Sequence, residues 1–123
     1  MKTMNKPFTV TGRVKSFKHA FAGIWTLVAT QHNAWIHVAA MVAVVVCGVF
    51  AKLSAMEWCV VVFAVAGVLM AEAFNTALEF LADVAHPDFH PLVKKAKDVA
   101  AGAVLIAAIG AAVVGVVVFG GKL

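Results

Sequence analysis

Four polar residues recur at helical spacing beside an apolar segment in the middle of the chain. The members of this polar stripe are Glu72, Asn75, Glu79 and Asp83. Because neighbouring members are three or four residues apart, an α-helix places them within an arc of about 80°. The residues around them are mostly Ala, Leu and Phe. Carboxylates are costly to place in such apolar surroundings, so the stripe predicts a functional site.

The residue types in the polar stripe suit phosphoryl transfer to a lipid hydroxyl. Carboxylate oxygens are ligands for Mg²⁺, which bridges phosphate oxygens, and a deeply placed carboxylate can accept a hydroxyl proton. Lys94, Lys97 and Asp98 follow the stripe, and a lysine can balance the charge of a transferring phosphoryl group. The same spacing also fits an ion pathway or a polar clamp between helices. Spacing alone leaves these alternatives open.

The composition indicates a membrane protein. The chain has 123 residues, of which 63% are hydrophobic and 13% charged, and its mean hydropathy is +0.98. Long apolar segments predict three transmembrane helices over 34–52, 56–85 and 92–120. In residues 8–30, aromatic and aliphatic residues recur at helical spacing, and basic residues occupy the positions between them. This pattern predicts an amphipathic helix at the membrane surface. We therefore expect an all-α membrane protein, with residues 1–123 forming one integral-membrane domain.

The basic residues lie next to the predicted spans. Five of them precede the first span, and three Lys residues lie at the start of the third. The positive-inside rule then predicts a cytoplasmic N-terminus and an external C-terminus. Membrane anchoring explains the net charge of +4 better than binding to nucleic acid, so no nucleic-acid partner is expected.

Three segments resemble the small prokaryotic membrane lipid kinases, the diacylglycerol kinase and undecaprenol kinase family. EAFNTALEFLAD is similar to the family's main signature, AKDVAAGAVLIAAI to its second block and SFKHAFAGIW to its amphipathic N-terminal helix. The segments occur in the family's order and cover nearly the whole chain. The resemblance implies a surface helix followed by three transmembrane helices, a homotrimer with active sites shared between subunits, and a location in the bacterial plasma (inner) membrane.

The resemblance also implies roles for individual residues. ATP would be the co-substrate and Mg²⁺ the cofactor. Glu72 would be the general base and Glu79 a Mg²⁺ ligand. Asn75 and Asp83 would be supporting polar residues. Lys97 and Asp98 would lie in the nucleotide site, with Lys97 on a phosphate.

One position departs from the family pattern. The family commonly has a Glu ahead of the first span that contributes to the metal and nucleotide site, whereas this chain has Gln31. Glutamine can accept a hydrogen bond from adenine but brings no charge to a metal. Either metal binding depends on Glu79 and Asp83, or activity is reduced. Asn33 and His37 match the family pattern, but the sequence suggests no role for them.

The lipid substrate is predicted less directly. The HPxxKKAKDVAAGAV form of the second block is more like the undecaprenol kinase branch, so undecaprenol is favoured over diacylglycerol. A different class remains open, namely a small non-enzymatic membrane oligomer, a proton-coupled transporter or pore with Glu72 as its proton site. Such a protein would show flux without nucleotide. A scaffold without chemistry would tolerate changes at Glu72 and Glu79.

Overall fold

Four α-helices make up most of the protein in the computed structural model, which describes residues 7–122. The helices are α1 (Val10–Thr30), α2 (His32–Ala51), α3 (Ala55–Ala85) and α4 (Pro91–Gly120). The expected all-helical architecture is confirmed. The second helix begins at His32, ahead of the apolar run that marks it in the sequence, because polar residues can extend a helix beyond its apolar part.

The last three helices are each long and apolar enough to cross a membrane. α3 has 31 residues and α4 has 30, which correspond to about 45 Å at 1.5 Å per residue. A hydrocarbon core is only about 30 Å thick. The ends of α3 and α4 therefore reach beyond the hydrocarbon, or the helices tilt within it.

Local signals in the sequence explain where α3 and α4 begin. The hydroxyl of Ser54 accepts a hydrogen bond from the backbone N–H of Glu57 at 3.2 Å, and the Glu57 carboxylate accepts one from the N–H of Ser54 at 2.8 Å. This reciprocal pair is the capping box of an S-x-x-E sequence. At the start of α4, the ring nitrogen Nδ1 of His90 accepts a hydrogen bond from the N–H of Leu92 at 3.1 Å. Pro91 occupies the first turn, where a missing N–H is tolerated.

α3 and α4 are antiparallel and share the most extensive helix contact in the fold. Ion pairs join them at both ends. Lys97 Nζ lies 3.0 Å from Asp83 Oδ1 at one end, and Lys122 Nζ lies 2.8 Å from Glu57 Oε1 at the other. The first of these ion pairs joins the exposed end of the polar stripe to α4.

Gly48 allows α2 to pack closely against the beginning of α3. A Cβ atom at this position would lie 2.5 Å from the Trp58 ring and 3.1 Å from Leu53 Cδ1. We expect Gly48→Ala to lower the free energy of unfolding by about 1–3 kcal/mol, because overpacking shifts side chains and backbone. Thermal unfolding in detergent measures the effect.

Gly23→Ala is the matched control for Gly48→Ala. A Cβ at Gly23 would meet no atom within 4 Å, so this change should leave the melting temperature unchanged or raise it, because Ala favours helix over Gly. Equal melting temperatures for Gly48→Ala and the unmodified protein would contradict the packing argument.

Candidate active site

The polar stripe lies on one uninterrupted helix and is progressively more exposed along it. α3 is continuous from Ala55 to Ala85, so the stripe residues share a face. Glu72 is 2% exposed, whereas Asn75 and Glu79 are half-buried and Asp83 is exposed. The stripe therefore runs from the interior of the helix bundle to its edge.

The buried end of the stripe contains a side-chain contact between two helices. His37 Nε2 of α2 lies 3.5 Å from Glu72 Oε2. Among residues 7–122, His37 is the only basic side chain within ion-pairing distance of this carboxylate. A carboxylate removed from water needs such a partner, because an unpaired buried charge is costly.

Two polar atoms on the helical turn after Glu72 are buried without a hydrogen-bond partner among residues 7–122. They are the hydroxyl of Thr76, a residue that is 4% exposed, and the amide oxygen of Asn75. Buried polar groups are normally hydrogen-bonded, and an orphaned one costs about 1–3 kcal/mol. These two oxygens can accept a bond, and the Thr76 hydroxyl can also donate one, to a ligand or to another chain.

Thr76 was not among the site residues predicted from the sequence, and His37 had no predicted role. Thr76 could have been found, because a residue four positions after Glu72 lies about 40° from it around a helix. His37 lies on a different helix from Glu72. No spacing rule connects the two residues, and only the packing of α2 against α3 brings them together.

At the exposed end, the structure brings two of the expected site residues together. Lys97 of α4 and Asp83 of α3 form the 3.0 Å ion pair described above. Asp98 instead pairs with Lys94 within α4, at 2.7 Å. Lys97 is thus joined to the polar stripe, whereas Asp98 is not.

Gln31 lies between α1 and α2, where the backbone is extended. Its side-chain amide donates a hydrogen bond to the hydroxyl of Thr30 at 3.1 Å. In the part of the chain that the structure describes, no hydrogen bond or ion pair joins Gln31 to the polar stripe. Within residues 7–122 of a single chain, Gln31 therefore has no polar bond to the other expected site residues.

The donor atoms around Glu79 fit Mg²⁺. The Glu79 carboxylate is half-buried and has no ion pair or side-chain hydrogen bond within residues 7–122. One turn earlier lies the unpartnered oxygen of Asn75. The same residues include no cluster of three His, Cys, Asp or Glu side chains suited to a metal. Mg²⁺ commonly takes one or two carboxylates and completes its shell with water and substrate phosphates, so this donor set suits it.

These features define a class: a helical membrane protein whose polar site begins inside the spanning helices and ends at their edge. Comparison with known sequences narrows the class. Residues 18–119 match the family model of the prokaryotic diacylglycerol kinases. The chain therefore belongs to the prokaryotic diacylglycerol kinase family, and its enzyme class is that of an ATP-dependent lipid kinase.

Individual relatives carry two different names. The chain is 41% identical over 109 residues to an undecaprenol kinase of Bacillus subtilis, and the match covers 89% of each chain. It is 43% identical over 101 residues to a diacylglycerol kinase of Synechocystis sp., covering 81% of this chain and 58% of that one. A diacylglycerol kinase of Helicobacter pylori is 30% identical over 106 residues, which cover 80% of this chain and 83% of the other.

Proposed function

We propose that this protein transfers the γ-phosphoryl group of ATP to the hydroxyl of a membrane lipid, undecaprenol in preference to diacylglycerol. The observation that carries the proposal is the placement of Glu72. This carboxylate is 2% exposed, lies inside a helix long and apolar enough to span a membrane, and begins a polar stripe that ends at the Lys97–Asp83 pair. The hydroxyl of a membrane lipid can therefore approach the buried end of the stripe, and a nucleotide at the membrane surface can approach the exposed end.

Glu72 acts as the general base in this proposal. Its carboxylate accepts the proton of the lipid hydroxyl as the hydroxyl oxygen bonds to the γ-phosphorus. The bond from that phosphorus to the bridging oxygen of the β-phosphate breaks, and ADP leaves with the bonding electrons. Burial of Glu72 limits the access of water, which would otherwise compete as acceptor.

Mg²⁺ would be held by Glu79 together with the amide oxygen of Asn75. When bound, the ion neutralises charge on the phosphates. Glutamine at position 31 adds no charge to such a site, and Asp83 is already paired with Lys97. Glu79 is then the principal carboxylate available to the metal.

The nucleotide end of the site consists of Lys97, with Asp83, Asp98 and Gln31 as supporting polar groups. The Lys97 ammonium is partly exposed and held by Asp83. A lysine ammonium is a compact charge on a flexible stem, so it can reach a phosphate group by leaving or sharing its carboxylate partner. Asp83 thus keeps Lys97 at the end of the stripe before ATP binds.

We expect Lys97→Ala to raise the KM for ATP about tenfold or more, because one charged phosphate contact is worth about 1.5–3 kcal/mol. The KM for lipid should change less than twofold. Steady-state kinetics with each substrate varied in turn measures both constants. Lys95→Ala is the control, since Lys95 is exposed and forms no ion pair within residues 7–122. An unchanged KM for ATP in Lys97→Ala would remove Lys97 from the nucleotide site.

Two observations support undecaprenol over diacylglycerol. The relative named undecaprenol kinase matches this chain over 89% of both lengths, and the second block has the HPxxKKAKDVAAGAV form. A cleft of about 260 Å³ between α2, α3 and α4 suits the hydrocarbon of either lipid. Apart from His37, its lining is entirely Ala, Val, Met, Leu, Gly and Phe. The hydrocarbon chain of a lipid substrate could lie in this cleft against apolar side chains and away from water.

The assembly and orientation of the protein belong to the same proposal. Most large apolar side chains of α2, α3 and α4 are exposed in the single chain, which suits contact with lipid and with other copies. We propose a homotrimer in the bacterial inner membrane, with the N-terminus cytoplasmic and α1 as an amphipathic helix at that surface. The exposed Lys15, Lys18, Phe17 and Trp25 of α1 are residue types suited to a headgroup layer.

Transfer of labelled γ-phosphate from Mg·ATP to lipid in mixed micelles tests the proposal. Undecaprenol and diacylglycerol are offered separately at the same mole fraction, with folded and assembled Glu72→Gln as control. If undecaprenol is labelled faster and the labelling is lost in the control, the result supports the kinase function, the role of Glu72 and the lipid preference. Faster labelling of diacylglycerol overturns the lipid preference, and labelling of neither lipid overturns the kinase function.

A further inference from the structure

The Glu72 and His37 side chains differ in how completely the surrounding helices cover them. The Glu72 side chain is 3% exposed, whereas the His37 side chain is 22% exposed. A general base that receives a proton in each turnover must lose it before the next one. The buried carboxylate has little direct contact with water, so its proton needs a neighbouring acceptor.

We infer that His37 is a positioning residue for Glu72, holding the carboxylate toward the substrate hydroxyl and taking up the proton that Glu72 receives. The inference rests on the proposed role of Glu72 as general base. After phosphoryl transfer, the protonated carboxyl of Glu72 donates its proton to Nε2 of His37, 3.5 Å away, in the neutral tautomer that carries its own proton on Nδ1. The resulting imidazolium then releases a proton to water, which restores the neutral imidazole and the carboxylate.

His37 lies within ion-pairing distance of no carboxylate other than Glu72 among residues 7–122. It is the only titratable residue lining the cleft between α2, α3 and α4, where α4 contributes Ala108, Ala111 and Gly115. The titratable residues of α1 are exposed and form no ion pair with His37 or Glu72; they are Arg13, Lys15, Lys18 and His19. Histidine also changes charge nearest to neutral pH, which suits a group that must accept and release a proton in every cycle.

A purely structural ion pair predicts a different set of results from a proton acceptor. Loss of a structural partner would lower stability and leave the pH dependence of the surviving activity unchanged. Loss of a proton acceptor would lower kcat with little effect on either KM, and would change the pH dependence. A small diffusible base could then replace the missing ring.

The test uses the full chain in mixed micelles with three variants, His37→Gln, His37→Ala and His19→Gln. For His37→Gln we expect a fall in kcat of about tenfold to a hundredfold, part of the effect of a general acid–base group. Both KM values should stay within twofold and the pH–rate profile should change. Added imidazole should restore part of kcat in His37→Ala and have no effect on His19→Gln, whose His19 is exposed and unpaired within residues 7–122.

The outcomes separate this inference from the proposed function. Suppose that the wild-type protein is active, Glu72→Gln is inactive, and His37→Gln keeps the wild-type kcat and pH profile. This result overturns only the role of His37. The role of His37 is also overturned if kcat falls in both His37 variants but imidazole does not restore it and the pH profile does not change. In that case His37 and Glu72 form only a structural pair. Lack of lipid phosphorylation by the wild-type protein, or full activity in Glu72→Gln, overturns the proposed function itself.

Discussion

Glu72→Gln is expected to lower kcat for lipid phosphorylation by about a hundredfold to ten-thousandfold, the usual contribution of general acid–base catalysis. The amide has the shape of the carboxylate and can remain beside His37, but it cannot accept the hydroxyl proton. The KM values for ATP and lipid should change little, because the lost interaction belongs to the transition state. Initial rates over a range of both substrate concentrations measure the three constants.

The control for Glu72→Gln is the same substitution at Glu57. Glu57 lies on the same helix, at its opposite end, where it pairs with Lys122 and caps α3. Glu57→Gln should lower the melting temperature slightly and leave kcat within twofold. A large loss in both variants, or full activity in Glu72→Gln with an unchanged melting temperature, would contradict a specific role for Glu72.

The fold could be predicted from the sequence to the extent that single segments determine it. Long apolar runs identify α2 and α4, because crossing a hydrocarbon layer requires about 20 mostly apolar residues. α3 reaches that length only when its apolar run is counted onward through the one-sided polar stripe. The start of α3 follows from the S-x-x-E capping box at Ser54, and the start of α4 from Pro91. Each of these signals lies within a few residues of the structure it specifies.

The contacts between helices could not be predicted in the same way. The His37–Glu72 pair depends on how far α2 slides along α3, and that register is fixed where Gly48 admits the ring of Trp58. The antiparallel turn between α3 and α4 implies that their ends meet, but not that Asp83 selects Lys97 over Lys94. Side-chain packing decides both cases.

The candidate site shows the same division between local and long-range information. Helical spacing correctly places Glu72, Asn75 and Glu79 on one face. It does not show that exposure falls steeply toward Glu72, because burial is provided by the other helices. The asymmetry of the polar stripe, with a buried carboxylate at one end and an exposed Asp83–Lys97 pair at the other, is therefore a property of the bundle.

The second large effect is expected at Glu79. Because Gln31 carries no charge and Asp83 is paired with Lys97, we expect the affinity for Mg²⁺ to depend most on the carboxylate of Glu79. Glu79→Gln should raise the Mg²⁺ concentration for half-maximal rate by at least about tenfold, since changing even an outer partner of a metal ligand costs about 10–100-fold in affinity. Direct binding of Mn²⁺ in the presence of ATP, followed by electron paramagnetic resonance, provides a readout independent of turnover.

Asp88→Asn is the control for Glu79→Gln, because Asp88 lies exposed in the loop between α3 and α4 and its carboxylate has no ion pair within residues 7–122. The control should keep the Mg²⁺ dependence of the wild-type protein. In Glu79→Gln, high Mg²⁺ should restore part of the rate, because Asn75 and the ATP phosphates still offer oxygen ligands. The same excess of Mg²⁺ should not restore Glu72→Gln, which lacks a proton acceptor. If both variants respond equally to Mg²⁺, then the division of the polar stripe into a base and a metal ligand is wrong.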